Sequence, residues 1–460
     1  MMARQPQPDQ QHRQRGIVSG LLCGLLCAAA TLPARADDLL GIYREALRAD
    51  ATLQAARADT EAQRERLPQA RAQLLPNLSL SGSKSKNTTE QTSQAQFGTY
   101  TNEYDYDSHN YVLALRQPLF RPHTLALYAQ SKAQVRSADA TLEQAFQEIA
   151  VRVCSAYFDV LLAQAEVDVN EAQQEAYRSR MDYAQKAFIA GSGTRTDIDE
   201  ARSRLDLAEA QASELQYHLE YLQDTLAAIV GRRLTPLATL SPERLPLQPP
   251  DPARLEEWVQ TAENINPQLK SLRADVEAAE KEIWKARAGH LPTADLIAQR
   301  SKSESENNTS IGNQYDTRMI GVQISIPLFS GGYVNSSVRQ AIAELEKQRQ
   351  QLEAARRDIR LQVKKEFDAA TQGIHWVSAY TQAVKSAEQT LYSTRKGFQA
   401  GTRNNLDILN AEQNLATARR DLYRSRYQYI LARLKLLALV GRLNDDAMQQ
   451  ANAWLEPDGH

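Results

Sequence analysis

LQAARADTEAQRERLPQARAQLLP, residues 53–76, returns as LKSLRADVEAAEKEIWKARAGHLP, residues 269–292, at an offset of 216. Leu53, Arg57, Ala58, Asp59, Glu61, Ala62, Ala70, Arg71, Ala72, Leu75 and Pro76 reappear as Leu269, Arg273, Ala274, Asp275, Glu277, Ala278, Ala286, Arg287, Ala288, Leu291 and Pro292. Outward from this segment the echo continues. Pro118-Leu119-Phe120 recurs as Pro327-Leu328-Phe329, and Ala190-Gly191 and Asp197-Ile198 recur as Ala400-Gly401 and Asp407-Ile408. Val230-Gly231-Arg232 recurs as Val440-Gly441-Arg442. One order of elements is written twice, which predicts a pseudo-symmetric object with any special site on or near its axis.

Two long stretches, His123–Thr235 and Leu328–Glu456, contain no proline and little glycine. In the first, Leu142, Phe146, Ile149, Val153, Ala156, Val160, Ala163 and Val167 follow the 4-3 spacing of a coiled-coil seam. A helix from about Thr124 to Ala190 would extend roughly 100 Å at about 1.5 Å per residue. Its counterpart runs from about Val334 to Ala400. Each breaks at Ala-Gly and restarts, at about Asp197–Val230 and Asn405–Val440, with Gly231 and Gly441 placed as C-terminal caps. Each half is therefore expected to carry a long antiparallel helical hairpin. The abundant alanines suit close helix packing as well as helix propensity.

Four segments switch to alternation. Ile320, Val322, Ile324 and Ile326 are the clearest, followed by Tyr111, Leu113 and Leu115; Leu78–Ser81 and Ala294–Ala298 are weaker partners. The polar stretches between them, about Lys84–Asp107 and Lys302–Asp316, read as exposed, mobile loops. Tyr100, Tyr104, Tyr106 and Tyr111 suit the interfacial aromatics of a membrane barrel, and equally ordinary strand tyrosines. Pro76, Pro118, Pro292 and Pro327 mark strand ends.

Residues 1–36 read as an export signal peptide: Arg13 and Arg15, an apolar run from Ile17 to Leu32, then Ala34-Arg35-Ala36. Cys23 and Cys27 follow Leu22 and Leu26 rather than a small residue, which argues against lipid attachment. Four of the 54 basic and one of the 56 acidic residues lie in this segment, so the remainder carries net −5. That balance argues against a nucleic-acid partner. Cys154 is the one cysteine left, so no internal disulfide is expected, and it reads as a small packed residue. No second apolar run is long enough to span a membrane, so an exported, membrane-bound form of this chain would have to use strands. The expected organisation is a first repeat over 37–250, with strand pair at about 77–120, hairpin at about 124–231 and linker at 232–250. A second repeat follows over 251–442, with strand pair at about 293–328 and hairpin at about 334–441, then a tail, 443–460, without a strong period.

Four strands cannot close a membrane barrel, which needs at least about eight, and open edges are not tolerated in lipid. Several chains would have to pool their strands and hairpins. The order of elements, with the duplicated segments ending at Pro76 and Pro292, the paired Pro-Leu-Phe and the run Gly397-Phe398-Gln399-Ala400-Gly401-Thr402-Arg403-Asn404-Asn405-Leu406-Asp407-Ile408-Leu409, resembles the TolC-like outer-membrane efflux protein family from about Leu39 to Arg442. The resemblance implies a mainly α protein with a small β part. It implies a homotrimer whose helical hairpins form a periplasmic α-barrel, continued by a 12-stranded outer-membrane β-barrel. Its implied partners are a periplasmic adaptor protein, an inner-membrane ABC or proton-driven transporter, and outer-membrane lipid.

In the resembled family the hairpin tips form the periplasmic entrance. Thr196 and Asp197 match its hydrogen-bonding pair on the first hairpin, Phe398 and Arg403 the partners on the second, and Asp407 an aspartate ringing the constriction. Three carboxylates about a narrow axis would attract cations. Arg403 bonded to Asp197 or Thr196 across the hairpins would latch the closed state. The chain departs from the pattern at Asn410, where a second aspartate ring would fall, and at Phe398, which lacks a tyrosine hydroxyl. Either aspartate also suits a helix N-cap that begins the return helix, a role compatible with the other. Asp199 and Glu200 add acids at the first tip.

Nothing reads as catalytic, and no cofactor is expected. His109, His123, His218, His290, His375 and His460 lack metal-ligand spacing, no phosphate loop or nucleophile elbow is visible, and Asp197-Ile198-Asp199 lacks the glycine of a calcium loop. The expected function is a passive exit duct for protein (type I secretion) or small molecules. The competing reading is a non-conducting periplasmic coiled-coil adaptor. The missing lipid-attachment cysteine resembles the branch that serves protein secretion.

Overall fold

The computed structural model describes residues 36–307 and 310–456; the expected signal peptide, apart from Ala36, and the end of the tail lie outside the described residues. The duplicated sequence folds in duplicated order. Helices α1 (Leu39–Ala49), α2 (Ala51–Arg64) and α3 (Arg66–Ala72) lead into strands β1 (Asn77–Ala95) and β2 (Gly98–Phe120), then into the long α4 (Pro122–Ile189) and its return, α5 (Arg195–Val230). A linker leads to α6 (Leu255–Ile265) and α7 (Pro267–Arg287), then β3 (Thr293–Asn307), β4 (Ser310–Ser325), α8 (Tyr333–Gln399), α9 (Asn405–Leu439) and α10 (Asp445–Asn452). The four long helices begin and end within two residues of the expected bounds.

The 4-3 seam is the reason α4 can run for 68 residues. Ile149, Val153, Val160, Ala163 and Val167 are buried along one stripe, with Phe146 and Ala156 packed at its margin. α4 lies against its own return helix α5, and against α9 of the other hairpin, so the two hairpins share one core. Pro122 occupies the first turn of α4, where its missing N–H is not needed. At the tips Gly191 and Gly401 adopt φ of 73° and 75°, the left-handed step that lets each helix stop and the chain reverse. Cys154 is fully buried beside the seam with its Sγ 3.5 Å from Met448 Sδ, and burial pushes its thiol up to about 12. It packs and does not react.

The tail, which shows no strong period, forms a capped helix. Asn444 Oδ1 accepts the Ala447 N–H to start α10, and Leu455 pairs with Leu240 of the linker. Asn452 Nδ2 donates to Asp38 Oδ2 at 2.9 Å and Arg44 meets Asp445 at 3.1 Å, so the two ends of the described chain close on each other. In the second repeat, Glu263 of α6 receives Arg356 and Arg360 of α8 at 2.7 and 2.8 Å.

The strands form one antiparallel sheet in the order β1-β2-β3-β4. They are far longer than the sequence alternation indicated: 19, 23, 15 and 16 residues. The stretches at 84–107 and 302–316 are thus mostly strand rather than loop, and β1 turns into β2 at Gln96-Phe97. Their outer rungs are joined by backbone ladder and by polar pairs such as Asn87–Ser108 (2.8 Å) and Thr92–Thr101 (3.1 Å). Neither face there needs apolar residues, so the period-2 signal vanishes although the strand persists. Pro118 lies inside β2, at a register shift between Pro118 and Phe120, rather than at its end.

The register sorts the sheet into two faces. Leu78 and Leu80 share one face with Leu113, Leu115, Leu296, Ala298, Ile320 and Val322. Ser79, Ser81, Ala114, Gln299, Ser301 and Thr317 share the other. On β4 and just beyond its end the apolar face is bare: Ile320, Val322, Ile324 and Ile326 are 58–76% exposed. An apolar face this open against a polar one is the pattern of a strand wall between lipid and water. Tyr111 lies on the apolar face, over Gly82; Tyr100, Tyr104 and Tyr106 fall on the polar face, so the interfacial reading fails for those three. No helix among the described residues is long and apolar enough to cross a membrane.

Candidate functional site

Each hairpin tip is organised by a capping box. At the first, Thr194 Oγ1 accepts the Asp197 N–H at 3.2 Å, while Asp197 Oδ2 accepts from Thr194 N (3.0 Å) and Thr194 Oγ1 (2.6 Å). At the second, Asn404 Oδ1 accepts the Asp407 N–H at 2.8 Å and Asp407 Oδ2 accepts the Asn404 N–H at 3.1 Å. Asp197 and Asp407, each the third residue of its helix, are therefore capping-box partners of the caps Thr194 and Asn404, not N-caps themselves. Each carboxylate sits at the positive end of its helix, where negative charge is favoured. Asp407 keeps its side chain 34% exposed, so capping leaves the charge accessible.

The expected cross-hairpin latch is not formed within one chain. Arg403 lies 4.0 Å from its own Asp407 rather than against Asp197 or Thr196, and Thr196 is exposed on the first turn of α5. Phe398 packs edge-on against Tyr183 of α4, with centroids 5.4 Å apart, and the Arg180 guanidinium lies 6.0 Å from both rings. Desolvation, then repulsion from Arg395, lowers Arg180 below the ordinary arginine value, yet it stays a cation. The missing hydroxyl at Phe398 is thus replaced by ring packing and a cation over the rings.

What joins the two hairpins near the tip is a set of contacts in which residues that sequence reasoning did not select, Arg204, Gln413 and Asn405, meet Asn410 and Asp197, which it did. Arg204 of α5 donates to Asn410 Oδ1 at 3.1 Å and also bonds Gln413, both on α9. Within the second hairpin, Arg395 of α8 pairs with the nearly buried Glu412 of α9. Asn405 Nδ2 reaches the Asp197 carbonyl at 3.4 Å, and its buried Oδ1 has no partner among the described residues. Asp199 pairs locally with Arg195 at 3.3 Å. The internal repeat would have pointed instead to Phe188, the counterpart of Phe398, but Phe188 stays 45% exposed. The tips are pseudo-symmetric in their caps and asymmetric in their contacts.

The profile of the outer membrane efflux protein family fits residues 42–232 and 258–442, once on each repeat. The chain belongs to the outer membrane efflux protein family. This efflux protein is 36% identical over 409 residues to the alkaline protease secretion protein AprF of Pseudomonas aeruginosa, covering 88% of this chain and 85% of that one. It is 32% identical to the proteases secretion protein PrtF of Dickeya chrysanthemi, covering 92% of each. Its fold matches the crystal structure of the outer membrane protein VceC from Vibrio cholerae with a TM-score of 0.74 at 20% identity, over 88% of this chain and 97% of that one. The efflux protein is an outer-membrane channel whose long helices extend into the periplasm. The reading as a non-conducting periplasmic adaptor is set aside: the family match covers both repeats, and the sheet carries a face built for lipid.

Proposed function

We propose that three copies of this efflux protein pool their strands, 4 × 3 = 12, into one barrel, and their hairpins into a periplasmic tunnel that opens and closes at the tips. The observation that carries this reading is the open sheet: β1 and β4 are edges with no neighbouring strand among the described residues, yet their apolar face calls for lipid. Edge N–H and C=O groups left unpaired in hydrocarbon cost several kcal/mol each, so neighbouring copies must supply the missing strands. A periplasmic adaptor and an inner-membrane ABC or proton-driven transporter would complete the path and supply its energy.

In this assembly Asp407 forms the constriction ring, with the neutral Asn410 one turn along the same helix and held by Arg204. Thr196, Asp197, Phe398 and Arg403 act as the latch between hairpins of neighbouring copies, since within one chain they stay apart. Single-channel conductance tests this. Asp407→Asn keeps an acceptor for the Asn404 N–H but removes the charge, whereas Asp407→Ala removes both and costs the helix roughly 0.3–1.5 kcal/mol. Both variants are expected to lose cation preference, and only the alanine variant to lose helix stability. Undiminished cation preference in Asp407→Asn would remove Asp407 from the constriction.

Protein is the favoured cargo, because AprF and PrtF are both named for protease secretion. A deletion strain is expected to stop releasing an exported protein into the medium while its drug susceptibility stays the same. Unchanged secretion with heightened drug susceptibility would replace protein by small molecules.

A further inference from the structure

On the apolar face of the sheet, the lipid-facing band gives way to a group of cations over three successive rungs, first on β3 and β4, beside Leu80 and Leu113, and last on β1. Outward from Ile320 on β4 the next position on this face is Arg318; outward from Ala298 on β3 come Arg300 and Lys302; outward from Gly82 on β1 comes Lys84. All four cations are exposed. The register sets Arg300 opposite Arg318 and Lys302 opposite Asp316. Arg300 grips Asp316 with two bonds, Nε–Oδ1 at 3.1 Å and Nη2–Oδ2 at 2.7 Å, and Arg318 and Lys302 act on the same carboxylate. Three cations around one carboxylate leave an excess of positive charge. The next acid, Glu304, is met by His109 at 3.1 Å.

The position of this group says what it meets. From Phe329 to Ile320 the chain presents about ten residues of exposed apolar face, six on β4 and four just beyond its end, and about 9–11 tilted strand residues cross a bilayer core. Phe329 lies at the helical, periplasmic end, so Arg318 and Arg300 lie where the hydrocarbon stops on the far side. Tyr111, opposite Lys302 in the register, is the aromatic expected at that boundary. Acyl chains packed on Ile320 and Val322 would bring their headgroups to Arg318, Arg300 and Lys302. Guanidinium groups match phosphate oxygens in charge and in paired hydrogen-bond geometry.

We propose that Arg300, Lys302 and Arg318, with Lys84 of β1, form a binding site for the phosphate groups of lipid headgroups at the outer surface of the membrane. The proposal rests on the exit-duct reading only in requiring that this face meets lipid. The site would fix the depth of the barrel in the membrane by electrostatics as well as by the apolar band.

The test uses the purified full protein and two lipid probes, bisphosphorylated lipid A and its dephosphorylated form, with retained lipid counted by native mass spectrometry. The phosphorylated form is expected to bind more tightly. The preference is expected to fall about fivefold for each cation removed, and so about twenty-five-fold in Lys302→Gln/Arg318→Gln, which leaves the Arg300–Asp316 pair intact. Should that double variant fail to fold, Lys84→Gln on a separate strand carries the same expectation of about fivefold. Equal binding of the two lipids, or a preference undiminished in the variants, overturns the proposal. So does displacement of the lipid by an equimolar amount of inorganic phosphate, which would indicate a free-anion site. Wild-type conductance is measured separately: a protein that conducts but shows no phosphate preference overturns this site and leaves the duct standing.

Discussion

Asp295→Ala is expected to lower the stability of the folded protein by about 3 kcal/mol, read as a shift in the urea midpoint in detergent. Asp295 is 2% exposed and sits near the start of β3, at the joint between sheet and helices. Its carboxylate accepts Nε (3.1 Å) and Nη2 (2.6 Å) of Arg116 on β2, and Nε (2.8 Å) and Nη2 (2.7 Å) of Arg121, the residue before α4. One acid thus neutralises two cations and ties a strand of the first repeat, and the helix that follows it, to a strand of the second. Breaking a buried pair by removing one partner costs about 3–5 kcal/mol. The low end applies because Arg116 and Arg121 remain 52% and 31% exposed and recover some hydration. Asp295→Asn, which keeps an acceptor but not the charge, is expected to fall between alanine and wild type. An unchanged midpoint in the alanine variant would mean that the two arginines find other partners and that the joint does not depend on this residue.

Phe158→Ala is expected to cost about 4 kcal/mol, measured in the same way. Phe158 is 1% exposed and stands where α4 meets α9. Its ring lies edge-on to Tyr157 at 5.6 Å and tilted against Tyr427 of the other hairpin at 5.9 Å. Tyr157 in turn donates to the carbonyls of Ala238 (2.8 Å) and Asp37 (3.2 Å), which ties the linker and the start of the described chain to the same point. A cavity here lies between two long helices held together along their length, so it collapses only in part, and the cavity cost adds to the lost transfer energy. Phe158→Leu, which refills most of the volume, is expected to lose about 1 kcal/mol. A loss below about 1 kcal/mol in the alanine variant would show that the hairpins repack freely and that their shared core is looser than the contacts imply.

The helical part of this fold was legible because its period is long and uninterrupted. The seam from Ile149 to Val167 sets the buried face of α4, and the Ala-Gly breaks set the turns, with no help from tertiary context. The strands were legible only where lipid demands alternation, at 111–115 and 320–326; beyond that band, serines and threonines pair as readily as they loop, and the sequence does not distinguish the two. At the tips, Asp197 and Asp407 were singled out by the duplicated Asp-Ile that follows each Ala-Gly and by the family resemblance, and the structure places each in a capping box. Arg180, Arg204 and Glu412 were not, because each acts through a residue more than ten positions distant on another helix, and no local pattern announces such a partner. The tail was missed for a related reason: α10 has only 8 residues and gains its stability from α1 and the linker rather than from its own pattern.

α4 and α8 have 68 and 67 residues, and α5 and α9 have 36 and 35. This near-equality limits how such a chain can change length over time. One residue inserted into α4 advances everything beyond it by about 1.5 Å and turns it by about 100°, which swings the buried stripe into water and carries Tyr183 away from Phe398. The other hairpin would keep its old length, and the two tips would no longer meet at a common level. Only insertions of about seven residues restore the stripe, and only when made in both members of a hairpin and in both repeats do they restore the meeting of the tips. The hairpins are in effect a ruler marked in whole heptads, and the distance the protein bridges can be reset only in matched steps.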